Sequence, residues 1–203
     1  MRDELLGFWF DDAERSPGCA ERRDKVWFES TPGFDREINT RYARLYERAA
    51  AGELEAWKGS ETGSLALILV LDQLPRNMFR GTARAFATDA LAVEVALELI
   101  DAARDQALRP LQQLFAYMPL QHAEDSEMQS LSIRKNRQLL EQADPPWRPL
   151  FETYFRYAEL HADIIARFGR FPHRNRALGR PSSAAEVAYL EAGAERFGQG
   201  EPE

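Results

Sequence analysis

The chain has 203 residues, 44% of them hydrophobic, with a formal charge of −7, which is enough length for one domain with a sizeable core and the wrong sign for broad attraction to nucleic-acid phosphates. Its single cysteine, Cys19, excludes an intramolecular disulfide and a thiolate metal cluster. The longest apolar run, Leu65 to Leu71, is far shorter than the roughly 20 residues of a membrane helix, and Met1 to Glu4 open no signal-peptide core, so a cytoplasmic protein without membrane contact is expected.

Alanine, leucine, glutamate and arginine dominate, and no Asn-Gly or Asp-Gly turn joins two alternating runs, so the fold is expected to be all-α. Helices are predicted over Asp3 to Asp11, Ala20 to Phe28, Phe34 to Ala51, Thr62 to Leu74, Asp89 to Arg104, Pro110 to Tyr117, Asp125 to Gln142, Trp147 to Phe168 and Ser183 to Arg196. In the first two, Phe8-Trp9-Phe10 and Trp27-Phe28 are core anchors. The fourth is apolar on nearly every side, so it runs through the centre of the domain and delivers Asp72 and Gln73 from the most buried element before Pro75 stops it. Pro32-Gly33, Asp144-Pro-Pro146 and Gly198 punctuate later ends, and Ser183 with Glu186 forms a capping box. About nine helices with short loops predict a single domain over residues 1–198, packed as antiparallel hairpins in a bundle or a solenoid, followed by a disordered tail at 199–203. No repeat period decides between the two.

Two stretches hold no carboxylate. Ile164 to Arg180 carries Arg167, Arg170, Arg174, Arg176, Arg180 and His173, and Gln73 to Arg84 carries Arg76, Arg80 and Arg84. Guanidinium forks match carboxylate or phosphate bidentately. Arg167 and Arg170 are accounted for by the helix end before Gly169, where cations complement the dipole. The rest ask for an anion. It is either an anionic small molecule or peptide terminus, held by Arg76, Arg80, Arg170, His173 and Arg174 beside Asp72, or the chain's own Asp72, Glu124 and Asp125.

The three histidines supply a second reading. His161 falls on the apolar face with Phe151, Tyr154, Ala158, Ile165 and Phe168, where a core histidine satisfied by one hydrogen bond is the plain interpretation. His122 lies in a proline-containing loop before Glu124 and Asp125, the latter a helix cap. A hydrolase or transferase would use His122 or His161 as base with Glu124 orienting it and arginines stabilising negative charge. The residue types also suit a divalent cation, but no spacing such as HExxH is present and no metal site is assigned. A Gly-rich phosphate loop, a nucleophile elbow and a Rossmann fingerprint are all missing, so no cofactor is named. In a third reading the arginines only knit helices together in an assembly module, and nothing in the sequence fixes the oligomeric state.

Leu6-Gly-Phe-Trp-Phe10, Leu71 to Asp89, Met118 to Asp125 and His161 to Arg180 together resemble the bacterial domain-of-unknown-function family numbered 924 across essentially the whole chain. The resemblance implies an all-helical fold similar to tetratricopeptide-repeat domains and no established activity. The chain departs from the family pattern at Ala162 and Ala123, where an arginine and a serine often stand.

Overall fold

The computed structural model describes residues 1–29, 31–195 and 197, and every regular element among them is helical. The expected tail at 199–203, and Arg196 and Gly198 at the last expected helix end, lie outside the described residues. In chain order the α-helices are α1 (Arg2–Phe10), α2 (Pro17–Phe28), α3 (Pro32–Ala50), α4 (Glu61–Ile68), α5 (Leu74–Met78), α6 (Asp89–Asp101), α7 (Pro110–His122), α8 (Ser126–Gln142), α9 (Arg148–Phe168) and α10 (Ala184–Glu191). A π turn, Leu69–Gln73, joins α4 to α5 without a break, so the described residues form nine helical rods.

Local chemistry sets most of the ends. Ser16 and Thr31 accept the backbone N–H of Cys19 and Phe34, and Pro17 and Pro32 occupy first turns, where a missing N–H costs nothing. Gly169 closes α9 with φ of 68°, and Ser183 and Glu186 form the expected capping box of α10. Ala103, at φ 53°, ends the fifth rod, α6, earlier than expected. Short links of three residues between α7 and α8 and five between α8 and α9 join rods that pack on one another, an arrangement consistent with successive helical hairpins.

Two prolines do not act as expected. Pro75 does not stop the central rod, because the π turn lets the Leu74 N–H reach back to the Leu69 carbonyl and places Pro75 in the first turn of α5. The Leu71 carbonyl, which the proline's missing N–H would have served, accepts the Thr88 hydroxyl at 2.6 Å instead. Pro119 likewise lies inside α7, which continues to His122. His122 therefore stands on the last turn of a helix and not in a loop.

The central rod does form the middle of the core, with Leu65 to Leu71 each at most 2% exposed. Against it packs the aromatic cluster of the N-terminal helices, where Phe115 of α7 meets Trp9, Phe10 and Trp27 edge-on at 5.7, 5.5 and 4.7 Å. Arg23 and the Trp27 indole N–H both donate to the Trp9 carbonyl at 2.9 Å and so cap the end of α1. A smaller cluster of Ile164, Ile165 and Phe171 gathers Phe168, Tyr189 and Phe197 around it at the end of α9. No helix among the described residues is long and apolar enough to cross a membrane.

Candidate functional site

Four segments meet beside the core: the π turn with Asp72, the end of α7 with His122, the middle of α9 with His161, and the chain just after α9 with Phe171 to Arg174. Asp72 is fully buried, and its carboxylate lies 2.8 and 3.0 Å from His122 Nδ1, 3.1 Å from Arg76 Nη1, and within a hydrogen bond of the Gln73 amide. Burial opposes its charge, but Arg76, His122 and Gln73 outweigh burial and hold the carboxyl below the usual carboxylate range. An ionised carboxylate only accepts, so the proton between the two groups sits on His122 Nδ1.

His122 itself is pushed below the ordinary imidazole value, by burial first and then by Arg76, against the pull of Asp72. A neutral ring with its proton on Nδ1 carries a lone pair on Nε2. His161 is held in the same way. Its Nδ1 donates to the Tyr157 carbonyl at 2.7 Å, and burial, then the neighbouring His122, press it well below the ordinary value. The two rings are 5.9 Å apart, so two neutral imidazoles are set side by side with fixed tautomers. His173 approaches the same group through Phe171, at 5.6 Å between rings.

The arginines meet internal carboxylates. Arg76 bridges Asp72 to Asp89, with Nη1 3.1 Å from Asp89 Oδ1 and Nη2 3.1 Å from Oδ2, and Arg174 Nη1 reaches the same Asp89 at 3.2 Å. Arg80 grips Asp35 at 3.1 and 3.2 Å, and Arg170 forks onto Glu186 at 2.7 and 2.9 Å, fastening α10. Arg180 holds Glu124, which also accepts the Phe171 N–H at 2.8 Å. Glu124 is thus engaged away from His122, and the carboxylate that orients His122 is Asp72. Asp125 caps α8 through the N–H groups of Glu127 and Met128 at 2.8 and 2.9 Å.

Arg174 differs from the other arginines. Its guanidinium carbon lies over the rings of Phe86 and Phe171, 4.6 and 4.4 Å from their centroids, its side chain is 7% exposed, and burial lowers it to about 10, which leaves it charged at neutral pH. Its Nε–H has no hydrogen-bond partner among the described residues. Among the same residues no group of three His, Cys, Asp or Glu side chains is placed to hold a metal ion.

Asp89, Phe86 and Phe197 were not singled out by sequence reasoning. Asp89 carried a signal, as a carboxylate just beyond an acid-free arginine stretch that needs one. The rings had none, because a ring that packs on a charge is indistinguishable in sequence from one that packs in a core.

The profile of the family described as bacterial protein of unknown function, DUF924, matches residues 5–194. A solved structure of a protein of unknown function, ATU0120, from Agrobacterium tumefaciens is 37% identical, with 94% of this chain and 97% of that one covered at a TM-score of 0.79. No curated protein matches the chain.

Proposed function

We propose that this chain, which belongs to the bacterial family of unknown function DUF924, performs acid–base chemistry on a small molecule with His122 as the proton acceptor. The observation that carries this is the ionised, fully buried Asp72 holding His122 Nδ1–H at 2.8 Å, which leaves Nε2 as a base of fixed direction. Asp72 acts as a positioning residue, and Arg76 keeps it charged. The orphaned Nε–H of Arg174 supports a role in meeting negative charge on the bound molecule.

An anionic ligand gripped by all the candidate arginines has less support. Asp72 and Asp89 balance Arg76 and Arg174, while Asp35 and Glu186 occupy Arg80 and Arg170. Those outer pairs favour a structural role for Arg80, Arg170 and Arg180, as struts between helices. Within the inner group, His122 is only 13% exposed, which suits a small molecule better than an extended peptide.

Nitrogen NMR of the imidazoles tests the assignment without a known substrate. Wild-type His122 should show a protonated Nδ1 and a bare Nε2. In Asp72→Asn the amide donates to Nδ1 instead, the proton moves to Nε2, and acylation of His122 by diethyl pyrocarbonate slows. An unchanged tautomer and an unchanged acylation rate in the variant would refute the role given to Asp72.

A further inference from the structure

We propose that the ring of Phe197 fills an aromatic slot beside the histidine centre, and that in the working site this slot receives the flat ring of an aromatic carboxylate. Phe197 lies face to face on His161, with ring centroids 3.8 Å apart and planes 28° from parallel. His173 and Phe171 form its side walls, with centroids 5.5 and 6.4 Å away and both meeting the ring edge-on. Three planar groups from two segments therefore enclose a place shaped for one more plane, and a ring there lies directly on one of the two neutral imidazoles.

Two further features point to a guest and not to a permanent plug. Phe197 reaches the slot with a backbone φ of 50°, in the left-handed region that a bulky side chain occupies at a cost. Its release relieves that conformation, whereas no such strain attaches to Phe171, at φ −89°. The second is Arg174, pressed on the Phe171 wall at 4.4 Å with an Nε–H that nothing among the described residues accepts. A planar carboxylate carried on a flat ring supplies the missing acceptor in the geometry guanidinium groups favour. Phe197 mimics the ring of such a ligand and lacks its charge.

The slot presupposes that the histidine centre is a site, and the experiment separates the two. Benzoate and cyclohexanecarboxylate, which share the anion but not the flat ring, are titrated calorimetrically into full-length wild type, Phe197→Ala and Phe197→Leu. Phe197→Leu retains apolar cover if the alanine variant unfolds. Both variants should bind benzoate about two- to tenfold more tightly than wild type, the range a lost aromatic stacking competitor represents. Cyclohexanecarboxylate should bind more weakly than benzoate, and adding Arg174→Met should erase the gain. Equal benzoate affinity in all three proteins, no benzoate binding to any, or equal affinity for the two acids would overturn the slot. If the His122 tautomer still follows Asp72 when Asp72→Asn is compared with wild type, only the slot fails. If benzoate binds as expected while the tautomer ignores Asp72, the slot stands and the base assignment falls.

Discussion

Replacing Arg76 with methionine leaves Asp72 charged and buried without its cationic neighbour. The Arg76 side chain is 12% exposed and that of Asp72 is 0% exposed, so water does not take over the lost contacts. Removing one partner of a buried ion pair costs about 3–5 kcal/mol. His122 and Gln73 still donate to Asp72, and Arg174 still serves Asp89, which places the loss in the lower part of that range, about 3–4 kcal/mol. At about 2–4 °C per kcal/mol for a chain of this size, Tm should fall by about 6–16 °C. Thermal melts followed by helical circular dichroism read this directly. The double variant Asp72→Asn with Arg76→Met removes both charges, so it should melt above the sum of the two single losses by a coupling of about 0.5–3 kcal/mol. A melt of Arg76→Met within about 2 °C of wild type, or strictly additive losses, would show that Asp72 does not depend on this arginine.

Two other tests bear on the fold and its charges. Gly63→Ala brings a Cβ to 2.1 Å from the Trp57 carbonyl oxygen, a backbone atom with nowhere to retreat, so urea denaturation should show a loss of about 1–3 kcal/mol. In a pH series of melts, His122 and His161 bind protons less readily folded than unfolded, so their contribution is complete above the ordinary value of 6.5 and falls as pH drops below it. Asp24 runs the other way. Burial, against its bond from Tyr154, pushes it up from 3.8 to about 6, so its contribution is present below 3.8 and is lost as pH rises to about 6. Asp24→Asn should flatten that second slope and leave the first, and an unchanged profile would contradict both the shift and its cause.

What the sequence disclosed was mostly what neighbours in the chain decide. The all-helical class, the buried run Leu65 to Leu71, the inward face of His161 and the ends at Gly169 and Ser183 follow from periodicity and capping within a few residues. Pro75 does not end its rod because its compensation is remote: the Thr88 hydroxyl, which serves the Leu71 carbonyl, is 17 residues along the chain. The carboxylate nearest His122 along the chain is Glu124, two residues away, whereas the one that holds it is Asp72, 50 residues away. The arginine stretches looked unbalanced for the same reason. A segment without acids is unbalanced only along the chain, and here Asp35, Asp89, Glu124 and Glu186 arrive from other elements to complete it.

The π turn between Leu69 and Gln73 restricts how the chain can change its length. It holds one residue more than a regular helix would, inside the most buried rod of the fold. Losing that residue would restore ordinary hydrogen bonding there, but everything from Leu74 onward would rotate by about 100° about the rod. Arg76 would turn away from Asp89, and Asn77 and Arg80 away from Asp35. Side chains along this rod can be exchanged one at a time, while its residue count is locked by ion pairs that all lie after the turn.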